Sequence, residues 1–135
     1  MTLKVTREAF DEIRRASAEA GAIEACGLLL GCKAEGDESI CEALETRNAH
    51  PKPRTHFEIE PQALINAYRD ERSGGPRLMG YFHSHPNGKA VPSPTDQAQA
   101  PGDGRIWAIA AGRDVQFWRD EPGGFQPLDI LIEEA

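Results

Sequence analysis

The stretch GYFHSHPNGKAVPSPTD, from Gly80 to Asp96, restricts the possible folds more than any other part of this sequence. It starts within the apolar run LMGYF, ends that run with two histidines one residue apart, and continues into a loop rich in proline and glycine. Proline lacks a backbone N–H, so this loop cannot extend a ladder of strand hydrogen bonds. Because apolar residues occupy both faces at its start, RLMGYFHSH is predicted to be a central strand of a sheet.

The hydrophobic pattern elsewhere predicts an α+β domain with a mixed sheet. Thr6 is expected to cap a helix that runs to about Ala20, and Pro61 is expected to open a second helix that ends before SGGP. The segment GCKAEGDES is expected to be a polar turn. A chain of 135 residues fits one compact core, so a single domain covering residues 1–135 is expected. About seven strands complete the domain, drawn from the segments Leu3–Val5, ACGLLLG, ICEALETR, THFEIE, RLMGYFHSH, DGRIWAIAAG, RDVQFWRD and GGFQPLDILIE.

Net charge and the length of the apolar runs argue against several classes of protein, and the cysteines are interpreted separately. The net charge is −7, whereas a nucleic-acid binder needs a basic surface to neutralise phosphates, and docking on an anionic membrane is disfavoured for the same reason. No apolar run approaches transmembrane length and no signal-peptide core is present at the N-terminus, so a soluble cytoplasmic protein is expected. The three cysteines, Cys26, Cys32 and Cys41, include no C-x-x-C pair and are interpreted as buried free thiols.

The two histidines of the stretch are candidates for metal binding. Side chains at positions i and i+2 of a strand share one face, so His83 and His85 project in the same direction. Asp96 follows a loop long enough to fold back, and would complete the three-ligand set of a catalytic zinc site that keeps one position for water. The alternative is that the histidines are ordinary strand-end residues, while Ser93 and Asp96 cap a helix, PTDQAQA. Spacing alone leaves both interpretations open.

Hydrolysis at such a site would also need a proton acceptor. Glu24 stands at the mouth of the most apolar strand, in AIEACGLLLG. A carboxylate in low-dielectric surroundings can take a proton from a zinc-activated water and later deliver it to a leaving amine. The alternative interpretation is an exposed residue at a strand end, which is the usual position of glutamate.

Taken together, these residues resemble the signature of the JAMM (MPN+) zinc metallopeptidases. Glu24 in EACGLLLG is followed by HSHP and then by SPTD, which matches an upstream glutamate and the pattern His-x-His, seven residues, Ser-x-x-Asp. The segments EACGLLLG, RNAHPKPRTHFEIEP and GYFHSHPNG are also similar to the short stand-alone bacterial members of that family. The resemblance extends from the first predicted helix to the last predicted strand.

The resemblance implies a mixed, mostly antiparallel sheet flanked by helices, in the JAMM/MPN, cytidine-deaminase-like architecture. It implies that His83, His85 and Asp96 bind Zn2+. It also implies that Glu24 is the general base and acid, and that Ser93 donates a hydrogen bond to the developing oxyanion. The chain lacks an obvious insert of the kind that grips polyubiquitin in eukaryotic relatives. The implied substrate is therefore a ubiquitin-like sulfur-carrier protein, cleaved directly after its C-terminal Gly-Gly.

Two other functional interpretations use the same residues. An inactive MPN-type interaction module would share the fold, although such modules usually lack part of the metal set. A metalloprotein of another kind, such as a cupin-like dioxygenase, would need a further histidine and a glutamate at strand spacing. His50 is interpreted as a loop residue and His56 as the start of a short strand, either of which can line the cleft, rather than as ligands. Trp107 and Trp118 are interpreted as core or sheet-face residues. Ser84, between the histidines, is expected to point away from the metal.

Overall fold

The computed structural model describes residues 2–32 and 38–134. Within this part of the chain, seven strands and three helices follow one another. None of the described helices has both the length and the apolar character needed to cross a membrane. In chain order the elements are β1 (Thr2–Thr6), α1 (Arg7–Ala20), β2 (Cys26–Gly31), β3 (Ser39–Thr46), α2 (Pro61–Arg72), β4 (Leu78–Ser84), α3 (Pro94–Gln99), β5 (Ile106–Ala111), β6 (Asp114–Glu121) and β7 (Gly124–Glu133).

The seven strands form one sheet in the order β1-β3-β2-β4-β5-β6-β7, which closes because β1 pairs with both β3 and β7. Four pairings are antiparallel: β2 with β3, β2 with β4, β5 with β6, and β6 with β7. The pairings β1–β3, β1–β7 and β4–β5 are parallel. The predicted α+β class with a mixed, mostly antiparallel sheet is therefore confirmed, and the closure of the sheet goes beyond the prediction.

Helix α1 has the ends that the sequence predicts. The Thr6 hydroxyl accepts a hydrogen bond from the Ala9 N–H at 3.2 Å, and Gly21 directly after the helix has a φ of 61°, which glycine adopts without strain. Ile13 and Ala16 are fully buried. Helix α1 thus covers one side of the sheet and contributes to the larger of the two core clusters.

Strand β4 is central, as predicted, and lies between β2 and β5. Phe82 faces the core beside α1, whereas Tyr81 faces the cluster beside α2, since successive strand side chains point to opposite faces. A Cβ atom at Gly80 would overlap the carbonyl oxygen of Ile106 in β5. Glycine at this position therefore lets β4 and β5 pair closely just before the two histidines.

The segment THFEIE is not a strand, so that prediction is wrong. Residues 47–60 connect β3 to α2, and their β pairing in the described structure is a single isolated bridge between Asn48 and Ile59. Pro51 and Pro53 have no N–H to donate to a ladder. The Asn48 side chain instead accepts backbone hydrogen bonds within this loop, so the loop keeps a fixed shape without a strand partner.

The interpretation of the cysteines holds for Cys26 and is wrong for the other two. Cys26 is a free, fully buried thiol, and burial raises its pKa to about 11. Cys32 and Cys41 form a disulfide with Cα atoms 5.1 Å apart, which is an ordinary separation. The two cysteines come together because β2 and β3 are hydrogen-bonded neighbours, which a count of cysteines does not reveal. Residues 33–37 of the predicted polar turn lie outside the described residues.

Candidate metal centre and active site

The end of β4 and the start of α3 bring together the histidines and the aspartate that the sequence singles out. His83 lies on β4 and is fully buried, and the next histidine, His85, donates its N–H to the Ala110 carbonyl of β5 at 2.8 Å. Asp96 lies in the first turn of α3 and is 5% exposed. Within residues 2–32 and 38–134, these three form the one group of His, Cys, Asp or Glu side chains arranged to hold a metal ion.

Three potential ligand atoms converge in this group. The Nε2 atoms of His83 and His85 are 3.0 Å apart, and each lies 3.1 Å from Oδ2 of Asp96. Ligand atoms at ordinary zinc distances in a tetrahedral arrangement lie roughly 3.3 Å from one another. The observed triangle is close to one face of such a tetrahedron, so a fourth position is left for water or substrate.

The hydrogen bonding of His85 also favours a cation at this point. Its Nδ1 lies 2.7 Å from the Lys89 carbonyl oxygen, which can only accept, so Nδ1 carries the hydrogen. Nε2 of the neutral ring then directs a lone pair toward Oδ2 of Asp96, which is itself an acceptor. A positive charge between these two atoms, either a proton or a metal ion, stabilises this arrangement: burial lowers the pKa of His85, but hydrogen bonds with Asp96 and the Lys89 carbonyl raise it overall. A carbonyl on the far nitrogen is typical of metal-binding histidines. The residues therefore fit a divalent metal ion.

A helix cap fixes the orientation of Asp96. Ser93 Oγ accepts a hydrogen bond from the Asp96 N–H at 3.0 Å, and Asp96 Oδ2 accepts one from the Ser93 N–H at 3.0 Å, which is a capping box. Burial would raise the pKa of Asp96, but hydrogen bonds with His83 and His85 hold it well below its usual range. The helix-capping interpretation of Ser93 and Asp96 is confirmed, and the cap points the carboxylate at the histidines.

Aromatic rings surround His83. Phe57 stacks on its ring with centroids 4.3 Å apart and planes inclined by 15°, and Trp107 meets it edge-on at 5.7 Å. Burial lowers the pKa of His83, although the interaction with Asp96 opposes this effect. A neutral imidazole is the form that binds metal. Trp107 is buried, as predicted for a core residue, and it also forms a wall of the site.

Strand register brings Glu24 to the histidines across a long stretch of sequence. In the antiparallel pairing of β2 with β4, Cys26 lies opposite His83. Glu24, two residues before Cys26, therefore comes opposite His85, two residues after His83. Ser84 points away from the site, as expected, because its hydroxyl accepts a backbone N–H from the residue before β2 at 2.8 Å.

Glu24 is a buried carboxyl group, not an exposed strand end. It is 6% exposed, and its N–H donates to the Pro53 carbonyl at 2.7 Å. Burial raises the pKa of Glu24 to about 7, while His85 lowers it and Asp96 raises it by smaller amounts. A carboxyl group with a pKa near neutrality can accept and donate a proton under ordinary conditions.

Asn48 holds the loop beside Glu24, and no motif in the sequence marks it. Its Nδ2 donates to the Glu24 carbonyl at 3.0 Å and to the His56 carbonyl at 2.9 Å. Its Oδ1 accepts the N–H groups of His50 at 3.0 Å and Glu58 at 3.1 Å. One side-chain amide thus joins the Glu24 segment to the loop of residues 47–60. The only signal in the sequence is an asparagine at the start of a proline-rich loop, and many loops share that feature.

Two cavities adjoin His83, His85 and Asp96, which are called the metal-ligand group below for the role that they fit. The first, called the basic cavity below, has a volume of about 460 Å³, and its lining includes Glu24, Arg54, His85, Lys89 and Ser93. The second, called the aromatic cavity, has a volume of about 240 Å³, and its lining includes His56, Phe57, Tyr81, Asp96 and Trp107. Thr95 lines both cavities, so they meet at the start of α3.

The remaining histidines and Trp118 lie outside the metal-ligand group. His50 and His56 stack on each other with centroids 4.5 Å apart, and His56 lines the aromatic cavity, so one of the pair lines the cleft as predicted. Trp118 lies on β6, where its indole N–H donates to the Ala90 carbonyl at 3.2 Å. This is the sheet-face position that the sequence predicts.

Comparison with proteins of known sequence gives consistent relatives. A desampylase of Haloferax volcanii is 29% identical over 114 residues, which are 82% of this chain and 78% of that protein. A probable TtuB-protein conjugate cleaving protease of Thermus thermophilus is 35% identical over 65 residues. That second match covers 48% of this chain and 44% of the Thermus protein.

Solved structures share the fold over almost the whole chain. The solution structure of protein DSY2949 from Desulfitobacterium hafniense has a TM-score of 0.86 at 25% identity, covering 99% of this chain and 94% of the other. The crystal structure of AF2198, a JAB1/MPN domain protein from Archaeoglobus fulgidus, has a TM-score of 0.61 at 19% identity, covering 96% and 97%. The predicted JAMM/MPN architecture is therefore confirmed.

A family profile decides the classification. The profile described as "Prokaryotic homologs of the JAB domain" matches residues 6–121. That range contains the metal-ligand group, Glu24 and Ser93, and the resemblance to JAMM (MPN+) proteins is thereby confirmed. This chain belongs to the family of prokaryotic homologs of the JAB domain.

Proposed function

We propose that this chain is a metal-dependent hydrolase that cuts the amide bond between a ubiquitin-like protein and the residue, peptide or protein joined to its C-terminus. The observation that carries the proposal is a complete His-His-Asp ligand group whose His85 shares a cavity with the buried Glu24. The names of two relatives support this class of substrate: one is a desampylase and the other a probable TtuB-protein conjugate cleaving protease.

Zinc is the metal proposed for His83, His85 and Asp96. Two imidazoles and one carboxylate, with one position left open, are a common ligand set of catalytic zinc. When bound, zinc supplies Lewis acidity that polarises the scissile carbonyl and lowers the pKa of water. The chain contributes a neutral, buried His83 and a carboxylate oriented by a helix cap. The ligands are thus held in position before the ion binds.

Glu24 is the proposed general base and acid. As a carboxylate it takes a proton from the attacking water, and as a carboxylic acid it gives that proton to the leaving nitrogen. Its burial and its place in the cavity that His85 lines support this role. A pKa of about 7 in the metal-free protein means that both forms are accessible near neutral pH.

Ser93 is the proposed donor to the developing oxyanion. Its Oγ accepts the Asp96 N–H, which leaves the hydroxyl hydrogen free to donate into the basic cavity that Ser93 lines. A hydroxyl group can accept and donate at the same time. The helix cap and the oxyanion contact are therefore compatible roles of one side chain.

The acyl side of the scissile bond is proposed to be a C-terminal Gly-Gly tail. The two cavities beside the ligand group have volumes of about 460 and 240 Å³ and meet at Thr95. An extended tail without side chains can approach the ligands between these cavities, and extended binding is a recurring mode of peptide recognition. Larger residues at the last two positions would meet the aromatic wall formed by Phe57 and Trp107 beside His83.

The test is the cleavage of carrier fusions by the zinc-loaded protein, followed by intact mass. Glu24→Gln should keep its fold and its zinc, and its turnover number should fall by about 10²–10⁴, the usual contribution of positioned proton transfer. Replacing the two tail glycines by leucines should abolish cleavage.

Each part of the proposal can fail separately. Full activity in Glu24→Gln would remove Glu24 from the mechanism. Equal cleavage of the leucine tail would overturn the tail specificity alone. Binding of carrier fusions without any cleavage would identify an interaction module instead of an enzyme.

A further inference from the structure

The position of Glu24 determines which cavity faces which side of the scissile bond. In the proposed function, Glu24 gives a proton to the leaving nitrogen, so that nitrogen must come within hydrogen-bond reach of its carboxyl group. Glu24 lines the basic cavity and is not part of the lining of the aromatic cavity. The fragment that leaves as an amine therefore occupies the basic cavity.

Two cationic side chains line that cavity from different loops. Arg54 comes from the loop of residues 47–60, and Lys89 comes from the loop after β4. Both are exposed, and across residues 2–32 and 38–134 neither side chain has a hydrogen-bond or ion-pair partner. Other arginines of this chain are engaged: Arg7, Arg15, Arg47, Arg105 and Arg119 each form an ion pair.

The charge of the basic cavity is opposite to that of the whole chain. The net charge is −7, yet Glu24 is the only carboxylate among the described residues of this lining, beside two cations. Glu24 forms no described ion pair with either Arg54 or Lys89. A concave site with cations in an otherwise acidic protein attracts and orients an anionic group, and a bound divalent ion would add to the positive potential.

We propose that Arg54 and Lys89 form a subsite for a carboxylate carried by the leaving fragment. This rests on the proposed function and adds a property of the substrate beyond its Gly-Gly tail. The carboxylate is either the free C-terminus of a single added residue or the side chain of an acidic residue next to the scissile bond. A guanidinium can bind a carboxylate through two hydrogen bonds, and an ammonium acts as a point charge.

The carboxylate takes no part in the bond changes. The amide C–N bond breaks and a C–O bond to the water oxygen forms. One proton of the water passes through Glu24 to the leaving nitrogen. The proposed subsite therefore acts on the binding and orientation of the substrate, and its removal should appear mainly in KM rather than in kcat.

The experiment compares three substrates that differ in charge beyond the same Gly-Gly tail of a ubiquitin-like carrier. The first ends in one alanine with a free carboxylate, the second in alanine carboxamide, and the third in aspartate carboxamide, which moves the carboxylate to the side chain of the residue next to the scissile bond. Two exposed ion pairs together should favour a charged substrate over the neutral one by roughly fivefold to tenfold in KM. The preference should shrink at about 1 M salt, where the Debye length is short. Comparing the first and third substrates shows which source of carboxylate the cavity accepts.

Variants assign the preference to named residues. Arg54→Gln and Lys89→Gln should each reduce it, and the double variant should cleave charged and neutral substrates equally well. Arg72→Gln is the matched control, because Arg72 is also exposed but lies at the end of α2, away from the cavity lining. Binding of the intact substrates to the zinc-loaded Glu24→Gln protein, measured by calorimetry, should show the same order without turnover.

The outcomes separate this inference from the proposed function. Cleavage of all three substrates with equal KM would overturn the carboxylate subsite while the hydrolase remains. A preference that survives in the double variant would overturn the assignment to Arg54 and Lys89. If the parent protein cleaves none of the three and the Glu24→Gln protein binds them equally, the proposed function and the subsite both fail.

Discussion

The metal-ligand group and the loop of residues 47–60 border the same site but are held in different ways. The candidate ligands His83, His85 and Asp96 belong to β4, its immediate extension and α3, where ladder hydrogen bonds and a capping box set the side-chain positions. The loop contains no regular element, and it is held by the four backbone hydrogen bonds of Asn48 together with a few backbone–backbone hydrogen bonds. Local backbone geometry thus fixes the candidate ligands, whereas the Asn48 side chain and a few irregular backbone contacts, among them the Glu24 N–H to the Pro53 carbonyl, fix the surroundings of Glu24. The two parts can be perturbed one at a time.

The largest effect is expected from breaking the metal-ligand group. Asp96→Ala removes one ligand oxygen and half of the capping box, so zinc content should fall from about one ion per chain to near zero, and cleavage should disappear with it. Metal analysis after dialysis and an activity assay measure both. Gln97→Ala is the matched control, since Gln97 is the exposed neighbour of Asp96 on α3. An Asp96→Ala protein that holds zinc as tightly as the parent would show that the ligand assignment is wrong.

Ser93 tests whether a residue of the helix cap also acts in catalysis. Loss of the cap in Ser93→Ala should cost about 1 kcal/mol of stability. Loss of an oxyanion donor should lower the turnover number by about 10²–10³. Thermal melting and kinetics at saturating zinc separate the two effects. A lower melting temperature with full activity would leave Ser93 as a structural cap only.

The buried Glu24 should make the metal-free protein less stable as pH rises. Its pKa in the fold is about 7, above the ordinary value of 4.5, so the folded state binds this proton more tightly than the unfolded state does. The ionisation of buried Glu24 therefore lowers the free energy of unfolding. This loss is absent below about pH 4.5, grows as pH rises, and is complete above about pH 7, where it amounts to roughly 3 kcal/mol. Glu24→Gln should therefore stabilise the chelator-treated protein at pH 8 and have little effect at pH 4.5.

Urea unfolding at several pH values measures this difference. Glu42→Gln serves as a control, because Glu42 is an exposed carboxylate on β3. A stability gain in Glu24→Gln that is the same at pH 4.5 and pH 8 would contradict a raised pKa as its cause.

The smallest effect is expected from loosening the loop through Asn48. Asn48→Ala removes four backbone hydrogen bonds and should cost roughly 2 kcal/mol of stability. It should also lower kcat, because the Glu24 segment keeps only the backbone hydrogen bond to Pro53 as a tie to the loop, while zinc content stays unchanged. Asn48→Asp keeps the acceptor for His50 and Glu58 but places a carboxylate oxygen against the carbonyl oxygens of Glu24 and His56, so it should lower both stability and kcat at least as much as Asn48→Ala does. Loss of zinc in either variant would show that the two parts of the site are not independent.

The contrast between ligands fixed by local geometry and a loop fixed by longer-range contacts also explains which features the sequence predicts. His83, His85, Ser93 and Asp96 lie within fourteen consecutive positions, and strand alternation and a capping box act over such short distances. The ends of α1 and α2 are local for the same reason, and both were predictable. The position of Glu24 beside the histidines depends on the register of β2 against β4. The sequence therefore predicts Glu24 through the family resemblance and its apolar strand, and not through its spacing to the ligands.

The features that the sequence did not reveal depend on contacts between distant or irregular segments. The Cys32–Cys41 disulfide follows from the pairing of β2 with β3. The segment THFEIE alternates like a strand, but it lies in a proline-containing loop where a side chain replaces a strand partner. The positions of Asn48 and Arg54 beside Glu24 depend on how that loop folds. Periodicity and residue propensity contain no information about such contacts.

The parallel pairing of β1 with β7 has a consequence for how the chain reaches this structure. The pairing runs from Thr2–Asp129 to Thr6–Glu133, and Arg7 and Glu134, which are 127 positions apart, add a hydrogen bond between side chains. β1 is synthesised first, and until β7 leaves the ribosome its other strand partner is β3, joined by two register pairs. Contacts this distant in sequence slow folding and keep strand edges open to wrong partners. β2, β4 and β5, which surround the site, all precede β7 in the chain, but the sheet closes only when β7 pairs with β1.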